Sequence, residues 1–286
     1  MLDTASVSAY RDDGHLFPVH AFGAEEAAFW RRRFEAFESD AAATQLPRPV
    51  ADYLRGNLHL VSTAAADLAR HPALTDIAAS VLGPDVLVWM VEYIAKEPNS
   101  SAMLSVHQDL NYWGFDGADH LVTVWVALSE VTDAHGAMHF VTGSHRLGSV
   151  AHHDTYGDDN LLSRGQEIEV DFDAADEVAV ELHPGQVSLH HGLMFHGSGP
   201  NTTDERRIGV VIRYISPDAA KAAQARDYAM PVRGADRHGN LVTVAGAARD
   251  LQAADLELWE EATAAQEQAL AAGADDKFSY TRALTD

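Results

Sequence analysis

The 286-residue chain has no cysteine, which excludes disulfides, thiolate metal sites, iron–sulfur clusters and thiol nucleophiles and leaves His, Asp and Glu to hold any metal. Its 43 acidic against 20 basic residues give a formal net charge of −23, so nucleic acid and anionic membranes are not expected as partners. No stretch approaches the ~18–20 apolar residues of a membrane span, and the first residues lack a basic segment followed by an apolar run, so a soluble, cytoplasmic protein is expected.

With 47% hydrophobic residues the chain can bury one substantial core, and a single domain spanning 1–286 is expected. The first part, to about residue 84, reads as helical. Ala24 to Ser39 spaces Ala28, Phe29, Phe34 and Phe37 at helical intervals among charges, and Leu60 to Leu82 continues in that style until Gly83-Pro84 stops it. The pattern then changes to β-branched and aromatic runs. Val86 to Ala95 and Leu121 to Ser129 are the longest. Met138 to Thr142, Ile168 to Phe172, Val178 to Leu182, Val187 to His191 and Ile208 to Ser216 follow, separated by turn residues such as Asp116-Gly117 and Pro184-Gly185. Short strands at regular spacing predict a mainly β fold, a jelly-roll (double-stranded β-helix) core over about 85–217 with flanking helices. A C-terminal helical extension over about 218–286 is expected, with a helix from Gly246 to Ala272. The acidic stretch Glu167 to Glu181 alternates with apolar residues and reads as a solvated sheet face.

His107 and Asp109 are two residues apart. In an extended segment that spacing aims an imidazole and a carboxylate at one point. Two histidines and one carboxylate on one face hold iron in non-haem Fe(II) oxygenases and leave positions open for co-substrate and O₂. The second histidine must come from VSLHHGLMFHGSGPN, which offers His190, His191 and His196. His196 lies at a strand end, where ligands converge on the mouth of a jelly roll; His190 and His191 read as packing or supporting residues. Arg207 opens the apolar strand IGVVIRYIS eleven residues later and suits bidentate pairing with a dicarboxylic acid; Arg206 would replace it if the register slips by one. Asn111, Tyr112 and Trp113 are candidates for the substrate pocket. Glu92 lies inside an apolar strand, where a buried carboxylate is costly without a partner; it is a substrate contact or, as expected here, surface-facing. His139, His145, His152 and His153 show no metal-binding helical spacing and read as structural or solvent-facing.

Taken in order, His107-x-Asp109, then His196-Gly197-Ser198-Gly199-Pro200-Asn201, then Arg207 resembles the phytanoyl-CoA dioxygenase family of Fe(II)/2-oxoglutarate-dependent oxygenases. Lys96-Glu97-Pro98 is similar to the family's Lys-Pro-Pro-Gly segment, departing at Glu97 and Asn99. Gly136-Ala137-Met138 through Gly143-Ser144-His145, with Thr142 where the family usually has proline, and the early Tyr10-Arg11-Asp12-Asp13-Gly14 also resemble family segments, and the resemblance spans roughly residues 8 to 217. It implies His107, Asp109 and His196 as Fe(II) ligands and Arg207, Trp125 and Lys96 around 2-oxoglutarate. It implies hydroxylation of an unactivated C–H bond of a small-molecule substrate by O₂, with release of succinate and CO₂. Desaturation, cyclisation, epimerisation and halogenation are alternatives on the same scaffold. Asp109 stands where halogenases carry a small residue, which favours hydroxylation. A jelly-roll binding protein without catalysis is the alternative of a different class. The acidic balance disfavours coenzyme A thioesters and points to a small polar metabolite or a natural-product intermediate.

Overall fold

The computed structural model describes residues 1–154, 160–162, 166–221 and 226–271. Its helices are α1 (Thr4–Asp13), α2 (Ala24–Ala43), α3 (Val50–Leu54), α4 (Thr63–Ala69), α5 (Pro72–Leu82) and α6 (Ala253–Ala271). Its strands are β1 (His15–His20), β2 (Val86–Lys96), β3 (Leu104–His107), β4 (Phe115–Asp116), β5 (Leu121–Ala127), β6 (Met138–Val141), β7 (His152–Asp154), β8 (Gln166–Ile168), β9 (Glu177–Ala179), β10 (Gln186–His190), β11 (His196–Ser198), β12 (Arg207–Ile215), β13 (Ala220–Lys221), β14 (Tyr228–Arg233) and β15 (Val242–Thr243).

A seven-stranded main sheet runs β1-β10-β5-β12-β2-β14-β15, and a four-stranded sheet runs β3-β11-β6-β9. The two form the jelly-roll core. Their inner faces meet over Ile94, Trp125 and Val211 from the main sheet and Met138 and Phe140 from the smaller one. The outer face of the main sheet is covered by helices: Val122, Val124 and Val126 of β5 and Ile208, Val210, Ile212 and Tyr214 of β12 pack with Phe34, Phe37, Leu68, Leu74 and Ile77. A sheet covered on both faces needs no polar alternation. This explains why β5 and β12 are buried at every position and why they read as unbroken apolar runs.

Two features depart from the sequence reading. The N-terminal part is not wholly helical: His15–His20 form β1, the edge strand that pairs antiparallel with β10. The main sheet also reaches past residue 217, because β14 pairs with β2. Both strands are short and carry weak β signals (each contains a proline), so their partners, not their composition, settle their state.

Helix α6 packs on the N-terminal helical layer. The Trp259 indole is fully buried, 4.5 Å from the Tyr53 ring between centroids, and donates to Gly56 O at 2.7 Å. Arg48 lies over that indole and holds Glu260 through 2.7 and 2.8 Å bonds. Asn57 reaches Gln266 at 2.8 Å. Replacing Trp259 with Ala removes this anchor, and a loss of about 3–5 kcal/mol in urea-unfolding stability is expected, as for other buried Trp truncations.

Candidate active site

The site is built on the inner faces of both sheets. His196 opens β11 and is the direct cross-strand partner of His107 at the end of β3, so the two imidazoles lie side by side with ring centroids 4.2 Å apart. Asp109 reaches them differently from the extended geometry expected. The strand ends at His107, and Asp109 has φ −65° and ψ −50°, helical values at the start of the short turn Leu110–Tyr112. The turn, not a shared strand face, brings the carboxylate to the imidazoles. All three side chains are buried, and one ligand atom from each lies within 4.8 Å of the others.

The donor set fits a divalent metal. His107 Nδ1 donates to Ser105 O at 2.8 Å and His196 Nδ1 donates to Met194 O at 3.0 Å. A proton on each Nδ1 leaves each Nε2 with a lone pair, as a metal ligand requires. Burial pushes the His196 pKa well below the usual imidazole range, with His107 and His190 adding to the effect, which keeps it neutral. Burial alone would raise the Asp109 carboxyl, but Arg213, with the adjacent His107 and His190, outweighs it and holds it well below the usual carboxylate range. Asp109 is therefore ionised.

The cavity around this triad is also lined by Arg55, Glu92, Ile94, Leu104, Thr123, Trp125, Met138, Leu162, His190, Arg207, Val211 and Arg213. Arg207 is 1% exposed and faces inward, with its guanidinium carbon 5.4 Å from the Trp125 ring centroid. Its neighbour Arg206 faces the other way, held by Glu38 at 2.7 Å and Glu97 at 2.6 Å. Lys96, also 1% exposed, is the cross-strand partner of Arg207. Its ammonium donates to Ser198 Oγ at 2.8 Å and to Gly199 O. Arg207 donates to Gly136 O at 2.7 Å. Among the described residues, neither cation is ion-paired to a carboxylate, and Arg207 Nε has no hydrogen-bond partner. Burial, with Arg207 adding repulsion, pushes the Lys96 pKa down to about 6. A buried guanidinium without a counter-charge, beside an amine that becomes an ammonium when an anion arrives, fits a carboxylate ligand.

Gly209, between Arg207 and Val211 on β12, leaves the space that the Trp125 indole fills: a Cβ there would lie 1.9 Å from the ring.

Other expected residues fall elsewhere. Asn111 turns its amide to Val150 O at 2.9 Å and Gln108 Oε1 at 3.2 Å, and accepts from Ser149 at 2.6 Å. Trp113 packs 5.2 Å from Trp89 and lies 4.6 Å below the Arg213 guanidinium. Neither lines the triad cavity. The Tyr112 side chain lies outside the described ones. Glu92 corrects its expected surface position: it is 8% exposed and ion-paired with Arg213. With the main sheet covered on both faces, its strand has no water-facing side. His190 is buried with Nε2 3.5 Å from Asp109 Oδ2, so it borders the triad. His191 faces a separate cleft with His145 and Asp119. Arg213 was missed; its signal was the even, six-residue spacing from Arg207, which puts both on one strand face.

A jelly roll with a buried two-histidine, one-carboxylate triad on its inner face has the scaffold of a non-haem metal oxygenase. The family model for phytanoyl-CoA dioxygenase matches residues 10–209. The chain belongs to that family, and with it to the Fe(II)- and 2-oxoglutarate-dependent non-haem dioxygenases. A probable phytanoyl-CoA dioxygenase of Caenorhabditis elegans is 25% identical over 162 residues, covering 54% of this chain and 52% of that protein. A probable alpha-ketoglutarate-dependent hypophosphite dioxygenase of Stutzerimonas stutzeri is 31% identical over 166 residues, 57% of each. The chain thus spans little more than half the length of these two relatives. Among solved structures, the non-heme monooxygenase ThoJ in its apo form superposes with a TM-score of 0.83 and 35% identity, over 92% of this chain and 96% of that one. No described helix is long and apolar enough to cross a membrane.

Replacing Gly209 with Ala drives a methyl group into the Trp125 indole. A stability loss of about 1–3 kcal/mol is expected in urea unfolding, the usual range for overpacking. Trp125→Phe in the same chain should recover part of it.

Proposed function

We propose that the protein hydroxylates an unactivated C–H bond of a small metabolite or natural-product intermediate, using Fe(II), 2-oxoglutarate and O₂. The observation that carries this reading is the ligand triad together with Arg207 in one cavity, and with Lys96 beside Arg207, the two buried basic groups having no carboxylate partner among the described residues. His107 and His196 offer Nε2, and Asp109 offers the anionic oxygen. Arg207 takes the far carboxylate of 2-oxoglutarate in its guanidinium fork, and Lys96 adds a second positive charge held by Ser198. Trp125 fixes the Arg207 guanidinium from below. Ile94, Leu104, Met138, Leu162 and Val211 keep the remaining wall apolar and exclude water. Iron with 2-oxoglutarate supplies the oxidising equivalent from O₂, 2-oxoglutarate leaving as succinate and CO₂. The protein contributes position, charge and dryness. Asp109 keeps the carboxylate ligand that favours hydroxylation over halogenation.

The direct test is anaerobic addition of Fe(II) and 2-oxoglutarate to the metal-free protein. A visible charge-transfer band is expected, and its absence from folded protein removes the assignment. Arg207→Lys replaces a fork by a point charge and should raise the KM for 2-oxoglutarate by about tenfold or more, the scale of a lost charged hydrogen bond.

Lys96 adds a pH signature. Its folded pKa, about 6, lies below its unfolded value, so the ligand-free protein gains stability as pH rises above 6. At pH 7.5 the free site therefore holds a neutral amine. A carboxylate arriving beside it restores the ammonium, so 2-oxoglutarate binding should take up a proton. Calorimetry in buffers of different ionisation enthalpy reads this uptake, and Lys96→Met should abolish it.

A further inference from the structure

Beside the triad, the main sheet buries an ion pair that the chemistry above does not use. Glu92 of β2 and Arg213 of β12 are 8% and 9% exposed and both line the cavity. Arg213 Nη1 bonds Glu92 Oε2, while Nη2 stands 3.8 Å from Asp109 Oδ1, beyond hydrogen-bond reach. The guanidinium plane rests on Trp113, 4.6 Å from the ring centroid. One arginine thus faces two carboxylates, bonded to one and stopped short of the other.

We propose that Glu92 is a positioning residue for the metal site, which holds Arg213 back from Asp109 so that Asp109 stays available as a ligand. The proposal rests on the metal-site reading above. A guanidinium and a carboxylate left to themselves close into a two-bond fork, the strongest arrangement the pair can form. Such a fork would occupy both Asp109 oxygens and cancel the one anionic ligand charge. Arg213 is near enough to compete with the metal in this way, and Glu92 is the group that occupies it instead. Charge agrees with geometry. Asp109, Arg213 and Glu92 together carry one net negative charge, whereas Asp109 and Arg213 alone would carry none. A divalent cation is drawn to the first arrangement far more than to the second. Arg213 in turn keeps the orientation of Asp109 through its charge without neutralising it. A pair retained for packing alone would be indifferent to which carboxylate Arg213 chose.

The test needs no substrate and no turnover. Full-length metal-free protein is titrated with Mn(II) by calorimetry, without 2-oxoglutarate. Glu92→Gln keeps the shape of the side chain and removes its charge. Its Mn(II) dissociation constant should rise by about 10–100-fold, the range seen when residues supporting a ligand are changed. Adding Arg213→Met to Glu92→Gln removes the competitor, and affinity should return most of the way to that of the unsubstituted protein. That recovery is the result a purely structural pair does not produce. An unchanged Mn(II) affinity in folded Glu92→Gln, or no recovery in the double variant, overturns the inference. If Glu92→Gln fails to fold, as judged by its thermal melt, Arg213→Lys decides. A single ammonium cannot close on both Asp109 oxygens, so binding at least as tight as in the unsubstituted protein is expected, and weaker binding overturns the proposal. Failure of the unsubstituted protein to bind Mn(II) overturns the metal-site reading itself, an outcome distinct from the others.

Discussion

Burying a charge in a protein interior costs several kcal/mol unless a partner or ligand compensates it, and the inner face of the main sheet buries Lys96, Glu92, Arg207 and Arg213. Each is placed by the two-residue alternation of its strand. On β12 the outward positions Ile208, Val210, Ile212 and Tyr214 join the helix-covered core, while the alternate positions include both arginines. The sheet is thus apolar on one side and carries a row of charges on the other. Compensation of those charges organises the rest of the site. At one end of the row Lys96 and Arg207 have no carboxylate partner among the described residues, which calls for an anion. At the other, one arginine lies between two carboxylates, next to the imidazoles of His107 and His196.

The helical layer makes this arrangement tolerable. By covering the outer face with Phe34, Phe37, Leu68, Leu74 and Ile77, it supplies apolar burial that offsets the cost of the inner row. It also fixes the strands in register. Arg206 and Arg207 are adjacent but have opposite fates, because Glu38 of α2 takes Arg206 outward. A carboxylate on a helix therefore helps decide which arginine enters the cavity.

Much of this was legible in the sequence: β-branched and aromatic runs, the turn residues between them, and the order of His107, Asp109, His196 and Arg207. What was not legible has specific causes. A two-residue spacing fits a strand face or a turn equally well, and Asp109 uses the turn. Strand β1 carries histidines at both ends and a proline within, so only its pairing with β10 makes it a strand. Glu92 was placed outside because a buried carboxylate needs a partner, and the partner, Arg213, lies on a strand more than a hundred residues away in sequence. Asn111 follows the triad in sequence, yet its amide is spent on the backbone of Val150. Proximity in sequence to a ligand does not place a side chain in the cavity.

The pairings of the two sheets join distant parts of the chain: His15 with His190 and Lys96 with Arg207 in the main sheet, His107 with His196 in the smaller one. Such contacts close long loops before they return any energy, which slows the search for the native topology. The three side chains of the triad therefore cannot assemble from a local segment. They come together only when β3 and β11 have paired, so a chain able to capture metal tightly is one that has already closed the long loop between them. Metal capture would then report on successful folding, and a half-folded chain would carry no redox-active iron.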